Sequence, residues 1–153
     1  MGDTSHVDPQ VRLAEAPPRP TLVVPATTSW SEFSSVWPAL SQEVWDCLRA
    51  AGVTSGCPNL MLYLDDQPTV EVGVLCSDAV PLTGRVQVSS LPAGRLATAT
   101  HRGSYADLGA THDAIHTWCA AQGHELTRTR WEVYGPHDPD PAQVWVEVSW
   151  LLA

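Results

Sequence analysis

Lysine is absent from this sequence, and all eight basic residues are arginines. Schiff-base chemistry and a phosphate-loop lysine are thereby excluded. Positive charge is scarce altogether, since 17 acidic side chains against eight basic ones leave a formal net charge of -9 and a pI near 4.8. A nucleic acid or an anionic membrane is therefore not expected as a direct partner, and a positively charged small molecule is the better electrostatic match. No apolar run approaches the ~20 residues that span a bilayer, and residues 1–10 lack the basic and apolar regions of a secretory signal. The expectation is a soluble, cytoplasmic protein with residues 1–8 as a disordered tail. Cysteine is confined to Cys47, Cys57, Cys76 and Cys119 with no CxxC pair, so the four are read as buried thiols without assigned chemistry. There is no GxSxG elbow and no Gly-rich phosphate loop, which removes several large enzyme classes. Phenylalanine occurs once, whereas tryptophan occurs seven times and tyrosine three times. With 44% hydrophobic residues in a chain of 153, one real core can be filled without staples.

What the sequence does contain is a repeat. Shifting the chain by 75 residues lays Ser29-Trp30-Ser31-Glu32-Phe33 on Ser104-Tyr105-Ala106-Asp107-Leu108, matching aromatic with aromatic and acid with acid. Trp30, Phe33, Trp37, Leu40 and Val44 follow the 3-4-3-4 spacing of an amphipathic helix, and Tyr105, Leu108, His112, Ile115 and Cys119 repeat it. Each stripe ends at a glycine, Gly52 or Gly123. Pro38 either kinks the first helix or opens its regular part. Residues 59–64 and 69–75 read as a strand pair, as do 130–134 and 144–150, with turn-forming clusters between the members of each pair. Before each helix, residues 11–25 and 86–100 read as β segments broken at Pro17-Pro18 and Pro92-Ala93. The fold class is therefore α+β: a duplicated β-α-β-β module with pseudo-twofold symmetry, an antiparallel sheet carrying two main helices, and a central groove. A ligand is expected in that groove, because sites between repeated halves are common.

Strand alternation nominates the groove side chains. It yields a polar and aromatic set of Met61, Tyr63, Glu71, Glu132, Tyr134, Trp145 and Glu147, set against the apolar alternates of the same strands. Such a set is either the wet face of a half-buried sheet or an aromatic-walled cleft with a carboxylate inside, which would hold flat or bulky cations. His112, His116 and Cys119 sit at i, i+4 and i+7 of the second helix and have metal-ligand chemistry. His112 occupies the apolar stripe position of Trp37 and no further ligand is placed beside it, so no metal and no cofactor is assigned.

Three stretches, Leu91-Pro-Ala-Gly-Arg-Leu-Ala97, His101-Arg-Gly-Ser-Tyr-Ala-Asp-Leu-Gly109 and Trp131-Glu-Val-Tyr134, give the sequence a specific likeness. It resembles the GyrI-like small-molecule-binding domain, also seen as the effector-binding domain of multidrug-sensing bacterial transcription activators. The resemblance implies a single domain over residues 9–153, with half-repeats at about 9–80 and 84–153. It places the family's acidic residue on Glu132 and a pocket aromatic on Tyr134, with Tyr63 and Trp37 nominated from the first half. The candidate ligand-binding residues are then Glu132, Tyr134, Tyr63, Trp37, Met61, His112, Trp145 and Glu147. Three uses follow from the resemblance: binding of planar, aromatic or cationic drug-like molecules for sequestration or resistance; hydrolysis of cyclopropane-containing DNA-alkylating toxins, with Glu132 and Tyr134 catalytic; and protection or inhibition of DNA gyrase by an acidic protein surface. Since the two repeats consume the length, a stand-alone member without a DNA-binding module is expected.

Overall fold

The computed structural model describes residues 10–153; the tail expected over residues 1–8 lies outside the described residues. The chain runs β1 (Arg12–Ala16), β2 (Arg19–Thr27), α1 (Trp30–Ala50), β3 (Asn59–Tyr63), β4 (Thr69–Leu75), β5 (Gln87–Leu91), β6 (Gly94–Arg102), α2 (Leu108–Gln122), β7 (Leu126–Tyr134) and β8 (Trp145–Leu152). A 3-10 turn over Tyr105–Asp107 leads into α2. The strands form one curled antiparallel sheet in the order β1-β6-β8-β7-β3-β4-β2-β5. Exchanging each strand for its repeat partner (β1 with β5, β2 with β6, β3 with β7, β4 with β8) reverses that order, so the pseudo-twofold axis runs between β3 and β7. The proline breaks explain an exchange at the edges: Pro17-Pro18 and Pro92 interrupt each N-terminal ribbon, and β1 pairs with β6 while β5 pairs with β2.

The 75-residue offset holds from β1 through the start of the second helical segment, where Trp30 and Tyr105 are equivalent. Beyond the helices it drifts, because α2 stops at Gly123, in the left-handed conformation with φ +75°, and the β7–β8 connection is longer than the β3–β4 turn. Pro38 lies inside α1 rather than at its start. The carbonyl of Ser34 that loses its N–H partner belongs to an exposed residue, where water can serve it.

Side chains on the helix-bearing face of the sheet make two cores. Leu40, Val44, Cys47 and Leu48 of α1 pack on Leu22, Val24, Val70, Val72 and Val74, while Ile115 and Cys119 of α2 pack on Ala97, Ala99, Val146 and Val148. A third core, on the opposite face, joins Leu60, Leu62, Trp131 and Val133 of the central strands to Val23, Leu91 and Leu96. The central strands are thus apolar on the back and free to carry polar groups in front. In the first half of the α1 stripe only Phe33 packs against the core under that helix. Trp30 and Trp37 remain 49% and 36% exposed, and Trp37 walls the groove rather than filling the interior.

Candidate functional site

The register of β3 on β7 puts Met61 opposite Glu132 and Tyr63 opposite Arg130. Directly opposed residues of antiparallel strands share a face, so Met61, Tyr63, Glu132 and Tyr134 all point toward the helices. Met61 and Glu132 are also repeat equivalents, and they meet across the pseudo-axis. They floor a cavity of about 500 Å³, walled by Phe33 and Trp37 of α1, Tyr105 and Leu108 at the start of the second helical segment, and His137 of the β7–β8 connection. The walls keep the pseudo-symmetry: Trp30 packs on Tyr63 with centroids 5.6 Å apart, and its equivalent Tyr105 meets Tyr134 edge-on at 6.0 Å. Chemistry breaks the symmetry. One half offers Met61 and Trp37, and the other offers Glu132 and His112 at the equivalent positions.

Glu132 is 6% exposed. Its Oε1 accepts from the hydroxyls of Tyr63 at 3.2 Å and Tyr134 at 2.5 Å, and its Oε2 lies 2.7 Å from His112 Nε2. The indole N–H of Trp150, 2.9 Å from His112 Nδ1, settles the roles. Indole can only donate, so Nδ1 accepts and the imidazole proton sits on Nε2, where it is donated to the carboxylate. His112 is neutral in this arrangement and Glu132 carries the charge. Burial pulls the carboxyl upward, but the hydrogen bond and electrostatic interaction with His112, followed by the donors from Tyr134 and Tyr63, outweigh it and hold Glu132 below its usual 4.5. Both phenols are pushed up, by burial first and by the Glu132 charge next, so they stay protonated donors at neutral pH. Of the four lone-pair sites on the carboxylate, three are used by the described residues, and one on Oε2 is left for a ligand or water.

Arg130, two residues before Glu132 on the same face, does not neutralise it. Its Nη1 donates to Asp66 Oδ1 at 2.8 Å and to the carbonyls of Asp65 and Arg128 at 3.2 and 2.9 Å. Its guanidinium carbon lies 5.6, 5.2 and 5.1 Å from the ring centroids of Trp30, Tyr63 and Trp150. The protein's own cation therefore already rests against the aromatic surface at one end of the groove, by the interaction a cationic ligand would use.

Of the residues singled out from sequence, Glu132, Tyr134, Tyr63, Trp37 and Met61 line the cavity, and His112 backs it through Glu132. Strand register corrects the faces of the remaining three. Glu132 pairs with Val148, whereas Glu147 pairs with Val133 and Glu71 with Leu62, so Glu147, Glu71 and Trp145 point to the opposite side of the sheet. Alternation separates the two faces of each strand but does not say which alternates stand opposite one another. Glu147 instead accepts from Arg19 Nη1 at 3.1 Å, and the indole of Trp145 covers Gly135, where an added Cβ would run into the ring. Gly135→Ala should accordingly displace that indole and cost about 1–2 kcal/mol, lowering the melting temperature by roughly 3–6 °C in a thermal melt. The metal-spaced residues are placed otherwise: His116 stacks edge-on against Trp150 at 4.3 Å and Cys119 is buried in the second core. Phe33, Tyr105 and Leu108 were legible as a helix stripe but not as pocket walls, and Trp150, buried in the second core, is also the donor that orients His112. No sequence signal marked that role.

A family model described as GyrI-like small molecule binding domain matches residues 9–151. No curated protein sequence is significantly similar to the chain. Among solved structures, the EcmrR C-terminal domain superposes with a TM-score of 0.75 at 21% identity, covering 95% of this chain and 98% of that one. SAV2435 bound to tetraphenylphosphonium superposes with a TM-score of 0.68 at 14% identity, covering 94% of each chain. A hydrolase from Listeria innocua gives 0.62 at 13% identity, covering 95% of this chain and 93% of that one. At these identities the superpositions establish the fold.

Proposed function

The chain belongs to the GyrI-like small-molecule-binding family, and from that premise we propose that its groove sequesters lipophilic aromatic cations, as a device of toxin or drug resistance. The observation that carries the reading is a charged, nearly buried Glu132 between two pseudo-symmetric aromatic pairs. Each ring face presented to a cation contributes about 0.5–2 kcal/mol, and a carboxylate ~4 Å from the ligand charge adds a gross Coulomb attraction of about 4 kcal/mol at an effective dielectric of 20. After the costs of association, that sum supports micromolar binding without strict shape selection. The apolar half, with Met61 and Trp37, suits ligands of varied shape, because a thioether side chain refits easily. The negative net charge of the chain draws cations toward the groove and repels phosphates.

The test is a titration with tetraphenylphosphonium followed by intrinsic fluorescence, since Trp37, Tyr63, Tyr105 and Tyr134 line the site. We expect saturable quenching with a micromolar midpoint, and weaker binding of the neutral triphenylphosphine oxide. Equal binding of both, or of neither, would sink the cation reading. One observation favours a second use of the same residues: the unused lone pair on Glu132 Oε2 can orient a water, beside a phenol that can return a proton. That reading is hydrolysis of cyclopropane-containing alkylators, with Glu132 and Tyr134 catalytic. Incubation with such an alkylator followed by mass spectrometry separates the two, because a water adduct formed in proportion to time requires turnover and sequestration gives none.

A further inference from the structure

We propose that Cys57 and Cys76 form a reversible cross-strand disulfide at the base of the β3–β4 hairpin when the protein meets a peroxide, making this pair an oxidative modification site separate from the groove. The ladder of β3 on β4 runs Asn59 opposite Val74 through Tyr63 opposite Val70. Continued one step outward it sets Pro58 opposite Leu75, where the Leu75 N–H donates to the Pro58 carbonyl at 2.9 Å. The next pair outward is Cys57 and Cys76. In an antiparallel ladder hydrogen-bonded and non-hydrogen-bonded pairs alternate, and Pro58–Leu75 is the hydrogen-bonded kind. Cys57–Cys76 is then the close kind, with a Cα separation of about 4.5 Å. That separation lies within the ~4.4–6.8 Å that a disulfide bridges.

Other observations agree with this placement. Opposed residues share a face, and both cysteines belong to the core under α1. Burial first, and the neighbouring Cys76 next, raise the Cys57 thiol to about 11. Both cysteines line a surface depression of about 310 Å³ beside Arg19 and Asp78, which gives a small oxidant a way in. Cys47 and Cys119 have no such neighbour: Cys47 donates to the Pro81 carbonyl and Cys119 sits in the other core.

The reaction consumes one peroxide. A thiolate sulfur attacks the O–O bond and becomes a sulfenic acid as one oxygen leaves as water; the second thiol then attacks that sulfur, forming S–S and releasing a second water. Two thiols are oxidised and one peroxide is reduced, with the thiol protons carried away in the waters. Because the thiolate is the nucleophile and burial holds Cys57 protonated, the reaction is slow at neutral pH and quickens as pH rises toward 9.

The full chain treated with hydrogen peroxide should fall from four titratable thiols to two on denaturation. Non-reducing peptide mapping should show Cys57 joined to Cys76, and dithiothreitol should restore all four. The Cys47→Ser, Cys119→Ser double variant should fall from two thiols to none and give the same cross-linked peptide, which keeps the test clear of any folding defect at the pair itself. The oxidised form should melt roughly 5–10 °C higher, as expected when a crosslink fits the native register. Retention of four thiols, oxidation to separate sulfinic acids, linkage between chains, or a lower melting temperature for the oxidised form would each overturn the proposal.

Discussion

Replacing Glu132 by glutamine should weaken tetraphenylphosphonium binding by about 10- to 100-fold, which corresponds to roughly 1.4–2.8 kcal/mol, while affinity for triphenylphosphine oxide changes far less. The substitution keeps size and removes charge. The loss is smaller than the gross Coulomb attraction because the aromatic walls remain, and because the ionised carboxylate already spends part of its field on three donors. It also reverses one hydrogen bond. A glutamine oxygen can accept from Tyr63 and Tyr134, but its NH₂ then faces the Nε2–H of His112, whose other nitrogen is held by the Trp150 N–H. A stability cost of about 1–2 kcal/mol accompanies the affinity loss. Calorimetric titration of both ligands, with a thermal melt of each protein, separates the two effects. If the cation and the neutral oxide lose affinity equally, Glu132 serves structure and the charge argument fails.

The same carboxylate sets the pH response. Its folded pKa lies below the usual 4.5, so the charge persists as pH falls from neutral through the ordinary carboxylate range. Cation binding should stay flat across that range and fail only as pH drops through the depressed value. The stability contributed by the ionised group follows the same sign: present above its unfolded pKa, lost as pH falls through the folded one.

Much of this was legible before any coordinates. The spacing of Trp30, Phe33, Trp37, Leu40 and Val44 placed a helix, and its recurrence 75 residues later placed the second and with it the duplication. The proline breaks at Pro17-Pro18 and Pro92 marked the ends of β1 and β5. What alternation does not contain is pairing. A strand's period of two says that Glu147 and Val148 face opposite ways, but only the register with β7 says which of them joins Glu132. The polar choice is the natural default for a half-solvated sheet, and it fails here because the curled sheet has a core on each face, so the groove side of β8 is apolar Val146, Val148 and Trp150. The exchange of β1 and β5 between the halves was equally silent in sequence, since it depends on partners about 65 to 85 residues away.

The relay from Trp150 through His112 to Glu132 is where the remaining large effect is expected. His112→Phe removes the only donor to Oε2 among the described residues and leaves that oxygen buried without a partner, which costs about 2–3 kcal/mol and should lower the melting temperature by roughly 5–10 °C. The carboxyl is then governed more by burial and less by donors, so its pKa moves upward. The pH at which tetraphenylphosphonium binding fails should move upward with it. Trp150→Phe tests the tautomer separately. In the native protein the indole N–H occupies Nδ1 and leaves no room there for a second proton. With the indole gone nothing fixes the tautomer, so the ring can carry its proton on Nδ1 and turn a bare Nε2 toward Glu132, which then loses its Oε2 donor. Nitrogen NMR of labelled histidine should show native His112 protonated at Nε2 and bare at Nδ1, and a mixture of the two tautomers in Trp150→Phe. A native ring already protonated at Nδ1 would contradict the relay.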